Sequence, residues 1–174
     1  MNRFYLLALA GLVLAGCQTD ASPSADSPLV EVEDATELID HVIEEGNEIT
    51  VLNFWATWCG PCRIEFPDLK AFDEEMEGQG VEVRFVSVDD GEMMPQVREF
   101  LNEQGVTERS FVSPDNTMLA GQLHPMYGAS LPVTFVVDAE GIVRGAHLGV
   151  ITKDRLAEMV QGVRDGTLDI TTQI

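Results

Sequence analysis

Apolar and polar positions along the chain follow two rhythms. Ile49 to Trp55 (ITVLNFW) is almost continuously apolar, the pattern of a strand covered on both faces, and Val81 to Val88 (VEVRFVSV) reads as a second strand. Between and around them the spacing turns helical. Leu38, Val42 and Ile43 fall on one side of a helix over Ala35–Glu45, Pro61 to Glu77 continues as a helix, and Val97, Phe100 and Leu101 form the stripe of a helix over Met94–Gln104. Phe111 and Val112 suggest a short strand, and Met118 to Tyr127 a short helix. Pro132 opens a strand over Val133–Val137, Asp138 to Gly141 make a hairpin turn, and Ile142 to His147 pair back. Lys153 to Val163 closes the chain as a helix with Leu156, Met159, Val160 and Val163 inward. This alternation predicts an α/β fold, a central mixed sheet flanked by helices, without internal repeats.

The N-terminal region does not belong to that pattern. Asn2 and Arg3 precede an apolar run, Phe4 to Ala15, too short to stay in a bilayer as a spanning helix, and the run ends in Leu14-Ala15-Gly16-Cys17. A small-residue cleavage site followed by cysteine resembles the lipobox of bacterial lipoproteins. That resemblance implies a signal peptide over residues 1–16, cut before Cys17, whose thiol and amine are then acylated. Gln18 follows the anchor rather than the Asp of enterobacterial inner-membrane retention, so the sequence leaves inner and outer membrane open. Residues 17–30 are rich in Ser, Pro, Asp and Ala and read as a tether with a root-mean-square reach of roughly 20 Å. One domain over residues 31–174 is then expected to work outside the cytoplasm close to a membrane, on the periplasmic side in a Gram-negative host.

Charge excludes one class of partner. Thirty acidic residues against ten basic ones give a net charge of −20, which repels nucleic acid and leaves no phosphate-binding patch. An acidic surface otherwise serves mostly solubility.

The chemistry lies in Trp58-Cys59-Gly60-Pro61-Cys62, at the junction of a predicted strand and helix. A strand that delivers Cys59 to the start of a helix sets its sulfur against unpaired N–H groups and the positive end of the helix dipole, which favours the thiolate. Cys62 then lies one turn in, more covered and within reach of a disulfide formed at Cys59. Gly60 allows another backbone to approach, and Pro61 suits the first turn, where a missing N–H is harmless. A zinc site would need about four ligands, yet there is no second C-x-x-C and His41, His124 and His147 are scattered. A purely structural disulfide would close too small a loop to gain much. A peroxidase of the peroxiredoxin kind would want Thr or Ser where Ala56 stands.

WCGPC after an apolar strand, Pro67 inside the following helix, and Pro132 in Ser130-Leu131-Pro132-Val133-Thr134-Phe135 together resemble the thioredoxin superfamily. The resemblance implies a thioredoxin-like fold with Pro132 as its cis-proline. The stretch from Cys62 to Pro132 is longer than in a minimal thioredoxin by about one strand–helix unit. With the lipid anchor, that insert resembles the membrane-anchored TlpA/ResA-type thiol–disulfide oxidoreductases.

Several expectations follow from the resemblance. Cys59 is the exposed nucleophile and Cys62 the resolving thiol. Trp58, Gly60, Pro61, Leu131 and Pro132 meet the substrate, and no cofactor beyond the dithiol is required. Thioredoxins bury a carboxylate where this chain has Asn53, whereas TlpA/ResA-like proteins place a glutamate in the insert. Alignment puts Glu92 there as a partly dry general base toward Cys62, with Asp89 and Asp90 as rivals. The expected partners are protein disulfides, such as those of apocytochrome c, and a membrane thiol–electron donor, with the chain itself a monomer.

Direction is not legible from two cysteines, although Gly-Pro between them resembles reducing members more than oxidants. Oxidation or isomerisation of thiols stays open. So does copper handling, because Met93, Met94, Met118, His124 and Met126 are soft donors, and so does a tethered binding module with an idle dithiol.

Overall fold

The computed structural model describes residues 28–114, 119–125 and 130–170. The signal peptide, Cys17 and most of the tether lie outside the described residues, as do Met118 and Met126. Among the described residues six strands form one sheet: β1 (Leu29–Glu31), β2 (Ile49–Trp55), β3 (Val81–Ser87), β4 (Ser110–Val112), β5 (Val133–Asp138) and β6 (Val143–Leu148). Their order is β1-β4-β3-β2-β5-β6. The first four run parallel to one another, β5 is antiparallel to β2, and β6 is antiparallel to β5. The helices are α1 (Ala35–Glu45), α2 (Gly60–Met76), α3 (Met94–Glu103), α4 (Leu119–Leu123) and α5 (Lys153–Arg164). This is the expected thioredoxin-like architecture, and α3, β4 and α4 fill the long stretch between β3 and Pro132.

Every residue of β2 is buried, so both faces of the sheet are covered at its centre, as the unbroken apolar run requires. Helices α2 and α5 pack on each other, with α2 against β3 and α5 against β5 and β6. An aromatic cluster sits beneath the start of α2. Phe66 stacks on Phe85 with ring centroids 4.3 Å apart, and meets Trp55 at 5.0 Å and Phe100 at 4.8 Å.

Local signals set the element ends. Asp34 caps α1 by accepting from Thr36 N and Glu37 N, and Thr152 caps α5 by accepting from Arg155 N. Gly141 closes the β5–β6 turn at φ 78°, and a Cβ there would strike Ile39 of α1, so both conformation and space require glycine. One boundary differs from the expectation. Leu29 and Val30, expected in the tether, are the first residues of the sheet, paired in parallel with Ser110 and Phe111.

Candidate active site

The parallel β2 carries the chain to its C-terminal edge, and residues 56–59 cross from there to α2. This crossing is tied down by Asp89, fully buried just past the end of β3. Its carboxylate accepts from Thr57 N at 2.8 Å, Thr57 Oγ1 at 2.6 Å and Ser87 Oγ at 2.9 Å. Val88 N donates to Trp55 O and Cys59 N to Ala56 O, which completes a tight turn into the helix.

Cys59 is the N-cap of α2, and Pro61 occupies its first turn. Cys59 and Cys62 are joined by a disulfide, with Cα atoms 5.3 Å apart. The Cys59 sulfur accepts from Cys62 N at 3.2 Å, so a helix N–H and the dipole behind it both point at that sulfur. Exposure ranks the two cysteines in the expected order, at 5% and 0%. Cys59 is nevertheless far less open than an exposed nucleophile should be. Its sulfur is bonded to Cys62 and its backbone is engaged by Ala56 and Arg63. Trp58, at 66% exposure, and the open Gly60 and Pro61 form the surface around it.

Pro132 is buried, the Leu131–Pro132 peptide bond is cis, and Leu131 is half-buried. Val133 pairs with Phe54 across the sheet, so Pro132 comes level with Trp55, at the edge from which the chain turns to Cys59. Trp58, Cys59, Gly60, Pro61, Leu131 and Pro132 therefore gather at one end of the sheet.

Glu92 does not join them in the expected manner. It lies exposed on a 3-10 turn, Gly91–Met93, with its backbone N–H bonded to Asp90 Oδ1. A group in open solvent lacks the dry surroundings that the general-base reading demands. Asp90 is exposed as the cap of the same turn, and buried Asp89 is committed to Thr57 and Ser87.

A second buried carboxyl, on α2, belongs to Glu65, which the sequence reading missed. It lies three residues beyond Cys62 on the same helix, and positions i and i+3 share a face. Exposed by only 1%, it accepts from Asn53 Nδ2 at 2.7 Å and from Ile151 N at 2.8 Å. Asn53 Nδ2 also donates to Thr134 Oγ1 at 3.1 Å, while Asn53 Oδ1 has no protein partner. Burial raises the Glu65 carboxyl from 4.5 to about 7, against the opposing bonds from Ile151 and Asn53. A signal was available in the sequence. Cys62, Glu65, Phe66, Leu69 and Phe72 are the buried residues of α2, and that spacing places an acid inside the apolar stripe.

The arrangement sets a sulfur at a helix tip, a second sulfur wholly inside, and an acid near neutrality one turn below. Such a set can exchange disulfides and move a proton. Among the described residues no group of three or more His, Cys, Asp or Glu side chains could hold a metal ion, and no helix is long and apolar enough to cross a membrane.

Comparison with known proteins gives the same direction. Residues 23–146 match the model of the AhpC/TSA family, a range that includes Cys59, Cys62, Glu65 and Pro132. The thiol:disulfide interchange protein DsbE of Allochromatium vinosum is 33% identical, over 90% of this chain and 87% of that protein. The thiol-disulfide oxidoreductase ResA of Bacillus subtilis is 30% identical, over 88% and 82%. Among solved structures, a DsbF homologue from Corynebacterium diphtheriae aligns with a TM-score of 0.58 at 28% identity, covering 69% of this chain and 75% of that one.

Proposed function

Since the chain belongs to the AhpC/TSA family and is a thioredoxin-like thiol–disulfide oxidoreductase, like its DsbE and ResA relatives, we propose that it reduces protein disulfides outside the cytoplasm through Cys59 and Cys62. One observation carries the reading: the two sulfurs occupy opposite environments. Cys59 caps α2 and receives the Cys62 N–H, whereas Cys62 is fully buried one turn from Glu65. A helix N-terminus favours a thiolate, and a dry interior favours a thiol.

In the reduced protein the Cys59 thiolate attacks one sulfur of a target disulfide. A Cys59–target bond forms, the target S–S bond breaks, and the second target sulfur leaves as thiolate. Cys62 then gives its proton to Glu65 and attacks the Cys59 sulfur. The target's first sulfur is released as thiolate and the Cys59–Cys62 disulfide forms, so two electrons pass to the target. A membrane thiol–electron donor reduces that disulfide for the next cycle. Trp58, Gly60, Pro61, Leu131 and Pro132 supply the surface on which the target lies. Buried, apolar Ala56 stands where a peroxidase would want a hydroxyl.

The finer reading draws on the TlpA/ResA resemblance and on the residues before the fold. Cys17 carries the lipid, the tether keeps the domain near the membrane, the chain works as a monomer, and cysteine pairs such as those of apocytochrome c are the targets. A Cys59–Cys62 reduction potential near about −270 mV supports the reductase, whereas one near about −120 mV would make the protein an oxidant. Cys62→Ala should trap targets as mixed disulfides on Cys59. Cys17→Ser should release the protein from membranes, and unchanged membrane association in that variant would remove the anchor from the proposal.

A further inference from the structure

The Val150–Ile151 peptide unit is held at both ends. Its N–H donates to Glu65 Oε2 at 2.8 Å, and its carbonyl oxygen lies 3.2 Å from His147 Nε2. A carbonyl has no proton to give, so the ring nitrogen is the donor. The neutral Nε2–H tautomer and the imidazolium both carry that donor.

Sheet register explains the placement. Asn53 pairs with Thr134, and Thr134 pairs with His147. Directly opposed residues point to the same face, so three polar side chains line up across β2, β5 and β6. The face is the one under α2, because Asn53 binds Glu65 as well as Thr134. His147 is the half-buried outer end of that row, on the edge strand.

We propose that His147 is a positioning residue for Glu65. By holding the Val150 carbonyl it orients the Ile151 N–H toward the carboxylate, and so favours the state of Glu65 that takes the proton from Cys62. A donor at the carbonyl also polarises the peptide and strengthens its N–H as a donor. The inference rests on the reading of Glu65 as proton acceptor.

The surroundings leave this device unusual weight. Beneath Glu65, β2 and β5 present the neutral Asn53 and Thr134. On its own helix Cys62 lies one turn before it and the exposed Asp68 one turn after it, and β6 contributes His147. At the start of α5, Lys153 is bonded to Glu75, and Asp154 is exposed. The ionised carboxyl is thus stabilised by two hydrogen bonds and no ion pair.

The test is the resolving step itself, in the full chain. Cys59 is loaded as a mixed disulfide with thionitrobenzoate, and its release by Cys62 is followed between pH 5 and 9. Wild type should show an inflection that Glu65→Gln abolishes. His147→Ala, and His147→Phe as a donor-free ring, should each move that inflection upward and slow release about fivefold at pH 6, the loss expected from one weakened backbone hydrogen bond. His147→Gln, which keeps a donor, should restore most of the rate, and His147→Ala added to Glu65→Gln should change nothing. If Glu65→Gln keeps the inflection, the Glu65 reading and this inference both fall. If Glu65→Gln abolishes it but the donor-free variants leave it in place, or act equally without Glu65, only the role of His147 is overturned.

Discussion

Replacing Glu65 by Gln turns the buried carboxyl into a stability measurement. The group titrates near 4.5 when exposed and near 7 in the fold, with burial as the main cause. Between those values the folded chain keeps a proton that the unfolded chain has lost. Stability therefore falls as pH rises, by about 1.4 kcal/mol per pH unit, and levels off above the folded value. The whole loss is about 3 kcal/mol. Glutamine has nearly the same shape and no proton to lose. Its amide nitrogen needs an acceptor, and Asn53 Oδ1, free of protein partners, can supply one if the Asn53 amide turns over. The remaining cost is about 1 kcal/mol and independent of pH. Urea unfolding of the disulfide-bonded chain at half-unit steps from pH 4.5 to 8 gives the difference between variant and wild type. Groups common to both cancel, including Asp73, whose carboxyl is also raised chiefly by burial. The difference should climb by about 3 kcal/mol in favour of Gln. A flat difference, or one that climbs toward acid, would refute burial as the dominant influence on Glu65.

Two further substitutions probe the supports of the site. Asp89→Ala leaves the Thr57 N–H, the Thr57 hydroxyl and the Ser87 hydroxyl without their acceptor. It should cost about 3 kcal/mol in urea unfolding and change the alkylation rate of reduced Cys59, because the turn that aims this sulfur is released; an unaltered rate would detach Asp89 from the site. Asn53→Asp puts a second carboxyl where an amide now donates to Glu65 at 2.7 Å. The two acids should titrate as a coupled pair, with the upper step above about 7, visible as a basic shift in the pH profile of Cys62 release.

The fold was legible because its determinants are local and repeated. The unbroken run of β2 and the stripes of α1, α3 and α5 each name their own buried face. The WCGPC turn was legible for a related reason, since Pro61 and the cysteine spacing already describe a helix start. Other parts depend on contacts distant in sequence. β1 is three residues long and is a strand only because β4 lies beside it. Glu65 reads as a surface acid among Arg63, Asp68 and Lys70 unless the helical period is counted from Cys62 rather than from apolar residues alone. Glu92 was attractive because of its place along the chain, but the 3-10 turn at Gly91–Met93 carries it into solvent. Nothing in the order of residues announces that Ile151, 86 positions away, will offer its N–H to Glu65.

Asn53 and Glu65 are best understood as one choice. Thioredoxins carry their buried acid on the strand, at the position of Asn53. Here the acid has moved to the helix, and the strand supplies a neutral donor directed at it from 2.7 Å. Two carboxyls that close do not both ionise in a dry site, so only one of the two positions can carry an acid that ionises near neutrality. Placing it on α2 ties it to Cys62 through a single helical turn, a rigid connection between the thiol and the acid proposed to take its proton. It also faces the acid toward the Val150–Ile151 peptide, outside the reach of the helix dipole that serves Cys59. In the proposed cycle the two sulfurs are thereby served by separate devices, a helix N-terminus for attack and a buried acid for resolution.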